Sequence, residues 1–293
     1  MDAAIEVTDL VKVFSRRGAP PLRAVDGLSF RVSSGHIFGL LGPNGAGKTT
    51  TLRILTTLIR PTSGHARVAG CDVVRDPLGV RRRITVVVQE NAAELFLNVR
   101  DNLMTFARFH GLWGMPMRAR VNEVIEQFGL TAEASRKAMD LSGGYRRRLQ
   151  VAKVFVVDTP IVFLDEFSTG MDPILKRSVM TMMRKEAARG RTIVLTTHIL
   201  SEAEELCDDI LIVKHGREIA RGDVPTLKQL STNGTTLEHV FLELMEQPGE
   251  RVGSERPFGG TQGRPELVEG RGAKTPSESE RGWGPASAER TDA

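Results

Sequence analysis

The sequence predicts an α/β fold with a mostly parallel core sheet, and three observations predict it. Short apolar runs of strand length alternate with helical stretches up to about residue 230. One such run, residues 36–41, empties into a glycine-rich loop from which a helix starts. A second, residues 161–164, ends in two adjacent carboxylates, Asp165 and Glu166. Strands joined by helices build a parallel sheet covered on both faces, so each strand reads as continuously apolar. The 293 residues, 40% hydrophobic and 26% charged, are enough for a full core in one or two domains. That composition excludes wholesale disorder, collagen and a disulfide scaffold. Mean hydropathy is −0.17, and no run approaches the ~18–20 apolar residues of a membrane-spanning helix.

Taken in order, residues 5–7 and 28–32 read as strands and 36–41 as a buried strand. Residues 49–58 read as a helix, closed by the breaker cluster Arg60-Pro61-Thr62-Ser63-Gly64. Residues 83–88 give a further strand. From about 95 to 155 the pattern turns helical, over 99–109, 118–128 and 146–156, a helical insert between two strand-rich parts. Residues 161–164 and 192–196 restore the buried-strand pattern. Thr235-Thr236-Leu237-Glu238 reads as a capping box. Leu237, Val240, Phe241, Leu244 and Met245 then recur at helical spacing, so a C-terminal helix within 231–247 is expected to pack on the domain. From 248 to 293 Gly, Pro, Ser, Glu and Arg dominate. Such a segment buries too little surface to offset its ordering entropy and is expected to be disordered. The first residues carry neither a basic head nor a hydrophobic segment, so no secretory signal is expected, and work at a membrane would require a membrane partner.

Forty basic residues against 36 acidic ones leave a net charge of +4, which is no nucleic-acid footprint, and no nucleic acid is expected as a partner. The runs Arg81-Arg82-Arg83 and Arg146-Arg147-Arg148 read as solvated faces, with some residues of the second run contacting a dimer partner or nucleotide. Cys71 and Cys207 lie far apart and read as idle thiols. The six histidines show no metal-ligand spacing. Met171, Met180, Met182 and Met183 read as packing. Trp113, between Gly111 and Gly114, reads either as packing or as a docking residue for a membrane partner.

Gly42-Pro43-Asn44-Gly45-Ala46-Gly47-Lys48-Thr49 fits the phosphate-loop pattern G-x4-G-K-[ST]. Glycines let the backbone wrap a polyphosphate with its N–H groups inward, and the helix N-terminus adds partial positive charge. Lys48 is expected to reach the β- and γ-phosphates, and Thr49 to offer a hydroxyl to Mg²⁺. Adjacent carboxylates at the end of a buried strand are costly to desolvate unless something uses them. Asp165 is expected in the Mg²⁺ shell, and Glu166 at the strand tip is expected to polarise an attacking water. Ser142-Gly143-Gly144 opens a helix and forms a second tip suited to an anion, with Ser142 as N-cap.

Leu141-Ser142-Gly143-Gly144-Tyr145, lying between the phosphate loop and Asp165, resembles the signature of ABC ATPases. Gln89 looks like that family's Q-loop, residues 168–173 like its D-loop, Thr196-Thr197-His198 like its switch-histidine loop, and Phe14 like its adenine-stacking aromatic. The resemblance covers residues 4–230. It implies an ABC-type nucleotide-binding domain over 1–230, with an antiparallel β subdomain and an inserted helical subdomain at about 90–156. It also implies two such domains paired head to tail, each ATP lying between the phosphate loop of one and the Ser142-Gly143-Gly144 tip of the other. By the same resemblance Thr50 joins the nucleotide site, Gln89 senses Mg²⁺ and the attacking water, His198 holds the γ-phosphate, and Asp172 bridges the two sites. A finer likeness to ATP-binding subunits of ABC-2-type exporters, including daunorubicin-resistance-type efflux pumps, rests on residues 57–64, 97–103, 200–208 and 236–244. It implies a membrane permease as partner. A soluble ABC ATPase acting on ribosomes or DNA is the competing reading, but those generally carry two ATPase sets or a long coiled-coil insertion, and this chain has neither. Phe167, Tyr145 and Phe14 depart from the commoner proline, glutamine (or methionine) and tyrosine.

Overall fold

The structure, a computed structural model, describes residues 3–87, 94–231 and 236–246. Val88, Gln89, Thr235 and the segment 248–293 lie outside the described residues. The elements in chain order are β1 (Ala3–Arg16), β2 (Ala19–Ser33), β3 (Ile37–Leu41), α1 (Lys48–Leu55), β4 (Ser63–Val68), β5 (Cys71–Asp72), α2 (Pro77–Arg81), β6 (Ile84–Val87), α3 (Val99–Phe109), α4 (Gly114–Gln127), α5 (Gly143–Val156), β7 (Ile161–Asp165), α6 (Pro173–Ala188), β8 (Thr192–Thr197), α7 (Leu200–Leu206), β9 (Asp209–Lys214), β10 (Arg217–Gly222), α8 (Val224–Lys228) and α9 (Leu237–Glu246).

Two sheets result. One is antiparallel, in the order β2-β1-β4-β5; the other has the order β10-β9-β3-β8-β7-β6, parallel throughout except for the β9–β10 hairpin. The parallel strands divide their side chains between two cores by simple alternation. Phe38, Leu40, Ile161, Phe163, Val194, Leu211 and Val213 join the antiparallel sheet and α1 in one buried cluster. Leu41, Val162, Leu164, Ile193, Leu195, Ile210 and Ile212 point the other way, into a second cluster. That second cluster runs without a break into the helical insert, through Leu103 of α3, Val121 and Val124 of α4, and Leu149 of α5. At about 1.5–3 kcal/mol per fully buried large apolar side chain, the central strands account for much of the driving force for folding.

Several boundaries differ from the sequence reading. Helix α1 ends at Leu55 rather than 58: Thr56 Oγ1 donates back to Leu52 O (2.8 Å), and Thr57 turns left-handed at φ 62°. The breaker cluster ends inside β4. At Gly64 a Cβ would meet Asp9 O at 2.2 Å, so glycine there lets β4 press against β1. Helix α4 begins at Gly114 and α5 at Gly143, each earlier than its apolar periodicity begins. For α9, Thr236 Oγ1 accepts from His239 N–H (3.4 Å) just ahead of the helix; Thr235, the first residue of the expected capping box, lies outside the described residues. Among the described residues no helix is long and apolar enough to cross a membrane.

Candidate functional site

The site lies at the carboxyl ends of β3, β7 and β8, where parallel α/β sheets leave room for ligands. After β3 the chain turns through Gly42, Pro43, Asn44, Gly45, Ala46 and Gly47 into α1. Gly45 (φ 80°) and Gly47 (φ 103°) are left-handed. A Cβ on Gly47 would strike Ala24 O at 2.2 Å, whereas one on Gly45 would stand in open space. Helix α1 has no side-chain N-cap and no acidic residue in its first turn. The first N–H groups of a helix have no partner within it. A loop that withholds both a cap and a carboxylate leaves those donors to an anion. By contrast α3, α5, α6 and α8 are capped by Asn98, Ser142, Asp172 and Asp223. Lys48 is buried, and its Nζ donates to Gly42 O (2.7 Å) and Pro43 O (3.1 Å). Burial pushes its ammonium below the ordinary lysine range, while Glu166 and Asp165 pull it back up.

Strand β7 carries the carboxylates to the same place. Asp165 is buried and accepts from Thr49 Oγ1 (3.2 Å) and from Thr196 Oγ1. A hydroxyl and a carboxylate side by side at the phosphate loop are the hard oxygen donors that Mg²⁺ takes, and they fit that ion. Glu166 follows with φ 48°, a left-handed backbone that non-glycine residues enter at a cost. Its N–H donates to Thr196 O (3.1 Å), and its Oε1 lies 3.2 Å from His198 Nδ1. His198 stands at the end of β8 and is 54% exposed at its side chain, so its free face is open to a ligand.

Ser142 caps α5, as expected, by accepting from Tyr145 N–H (3.4 Å). The tip faces the segment that follows β7 in its own chain: Gly143, Gly144, Arg147, Glu166, Thr169 and Gly170 line an open cleft of about 360 Å³. Among the described residues no hydrogen bond or ion pair joins 42–49 to 142–144. Asp172 caps α6 through Leu175 N–H (2.9 Å), and that bond chiefly holds its carboxyl low. It also pairs with Arg148 (2.6 Å). Thr50 lies in the first turn of α1. Phe14 stays apart on β1, 37% exposed, with Lys12 Nζ 5.1 Å from its ring centroid. Gln89 is outside the described residues.

Two groups escape a reading by motif. Arg147, expected on a solvated face, is buried and holds the carbonyls of 165–167. Its helical spacing with the buried Val151 and Val154 is the signal that marks it as inward-facing. Glu202 is a buried carboxylate whose Oε2 accepts from Ser168 Oγ (2.8 Å) and Thr197 Oγ1 (3.3 Å), while Lys176 lies 3.1 Å from its Oε1. It ties the segments after β7 and β8 together. Of the residues with two readings, Trp113 is 64% exposed, with Arg108 5.9 Å from its ring centroid, so it is not core packing. Phe167 is fully buried.

Residues 25–169 match the sequence profile described as ABC transporter. The chain is 44% identical over 225 residues to the daunorubicin/doxorubicin resistance ATP-binding protein DrrA of Streptomyces peucetius, covering 77% of this chain and 67% of that protein. It is 40% identical over 240 residues to the Nod factor export ATP-binding protein I of Paraburkholderia xenovorans, covering 82% and 77%. Among solved structures, an ATP-binding subunit of an ABC transporter superposes with a TM-score of 0.76 at 26% identity, covering 83% of this chain and all of that one.

Proposed function

Since the chain belongs to the ABC transporter family of ATP-binding proteins, we propose that it is the ATP-hydrolysing subunit of a membrane exporter, with a drug or another hydrophobic small molecule as cargo. The observation that carries the enzymatic part is the meeting of Lys48, Thr49, Asp165, Glu166 and His198 at one end of the sheet. The resistance and export proteins it is similar to support the transport part. The ATPase unit is residues 1–230 with the helical subdomain at about 90–156, followed by a C-terminal helix and the tail 248–293.

The backbone N–H groups of the phosphate loop and Lys48 hold the β- and γ-phosphates. Thr49 and Asp165 are the residues that would hold Mg²⁺, which when bound neutralises charge on those phosphates. Glu166 accepts the proton of the attacking water, and His198 and Gln89 orient the γ-phosphate and that water. Phe14 stacks on the base. A second copy, head to tail, presents its Ser142-Gly143-Gly144 tip to complete each site, with Asp172 between the two. A permease subunit holds the cargo path and keeps the ATPase on the cytoplasmic face of the membrane.

Replacing Glu166 by Gln is expected to lower turnover by at least ~10²-fold while ATP still binds. Replacing Lys48 by Ala is expected to weaken ATP binding itself. Near-normal hydrolysis in the first variant, or unchanged ATP affinity in the second, would overturn the assigned roles. Isolation from membranes together with a hydrophobic subunit tests the transport part; ribosomal or DNA material in its place would contradict it.

A further inference from the structure

One guanidinium joins the helix that carries the Ser-Gly-Gly tip to the backbone of the catalytic segment. Arg147 Nε donates to Phe167 O (3.1 Å), and Nη2 donates to Asp165 O (2.7 Å) and Glu166 O. Its Nη1 donates to Gln150 Oε1 (2.9 Å), one turn along α5. Three successive carbonyls thus converge on a single side chain that is only 7% exposed. The carbonyl in the middle belongs to Glu166, whose φ of 48° is unfavourable unless its surroundings enforce it. Charge-assisted bonds of this kind are about twice as strong as neutral ones, and the planar fork of arginine fixes direction as well as distance. The joint is tight elsewhere too. A Cβ on Gly144, at the tip, would approach Gly170 O to 3.1 Å.

From this geometry we infer that Arg147 is a positioning residue for hydrolysis: it holds Glu166 in its left-handed conformation and makes the placement of that carboxylate depend on α5. The inference rests on the reading of Glu166 as the base and of the 142–144 tip as the part that meets the partner's nucleotide. Under that reading, α5 touches one ATP at its N-terminus and, through Arg147, sets the base that acts on the other. The two sites of a pair are then linked through a path inside each chain. Burial pushes the Arg147 guanidinium below the ordinary arginine range, and the neighbouring Asp165 and Glu166 offset only part of that.

The test is a double-mutant cycle of steady-state hydrolysis on the full chain, with Arg147→Lys and Glu166→Gln alone and together. Lysine keeps the charge but loses the fork. Arg147→Met, of similar length and uncharged, is measured beside it, and a thermal melt identifies which variants fold. Misplacing a reacting group by about 1 Å can cost ~10²-fold in rate. Arg147→Lys is therefore expected to lower kcat by roughly 10- to 100-fold with KM for ATP within about threefold of wild type. In the Glu166→Gln background the same change is expected to alter the residual rate by less than about twofold, because an arginine that acts through Glu166 has nothing left to position. An equal loss in both backgrounds, or wild-type kcat in Arg147→Lys, overturns the inference. Retained activity in Glu166→Gln alone overturns the earlier reading instead.

Discussion

Gly47 carries the conformational burden of the phosphate loop. Its φ of 103° and the carbonyl of Ala24, 2.2 Å from where a Cβ would stand, both forbid a side chain. Gly47→Ala is expected to cost at least ~2 kcal/mol, a sum of left-handed strain and displacement of β2. ATP affinity is expected to fall with it, read by thermal melting and nucleotide titration of the same preparation. Gly45 differs only in what surrounds it: the same backbone sign faces open space. The sequence reading names both residues, since the loop's spacing records which backbone must approach a phosphate. It does not find Arg147 or Glu202. Arg147 binds mainly backbone carbonyls, and such acceptors occur at every position of a sequence. Glu202 gathers partners from 168, 176 and 197, which only the folded sheet brings together.

Among the elements, α5 shows best how a helix serves two ends. Its N-terminus is fixed by Ser142, its middle by Arg147, and its apolar face by Leu149, Val151 and Phe155 in the larger core. Ser142→Ala is expected to cost about 1 kcal/mol through the lost cap. A urea titration measures it, with the midpoint shifting and the slope unchanged. Helix α3 is legible to the residue, because Asn98 caps it and its apolar positions repeat cleanly. Strands β1 and β2 are longer than 5–7 and 28–32 indicate. Their outer halves, with Phe14 37% and Leu22 40% exposed, are held by pairing with each other rather than by burial. Strands β4 and β5 leave still less trace, for only Ala66 and Val68 of β4 are buried and β5 has two residues. A sheet with one wet face and a register full of bulges gives pattern reading little to hold.

At the scale of the whole molecule, the antiparallel sheet is fastened to the parallel one by Asp26. Its carboxylate accepts from Arg217 Nε (2.6 Å) and Arg23 Nη1 (2.7 Å), and its N–H donates to Gly216 O (2.8 Å). The hydrogen bond from Arg217 is the main cause that holds the Asp26 carboxyl below its ordinary 3.8. A carboxylate depressed in the folded state stabilises fully above its unfolded pKa, and that contribution is lost as pH falls through the folded one. The gap in melting temperature between wild type and Asp26→Asn is therefore expected to be constant from pH 7 down to about 5 and to close below 3.8. A gap that widens on acidification would contradict the assignment.

The continuity of the larger core has a mechanical consequence. Val162 and Leu164, just before Asp165 and Glu166 on β7, share one packed interior with Leu103, Val121 and Val124 of the insert. Protein interiors are about as dense as organic crystals and yield little to compression. A tilt imposed at the exposed rim of the insert, where Phe109 and Trp113 stand in solvent, must then arrive at the strand ends as displacement rather than be absorbed on the way.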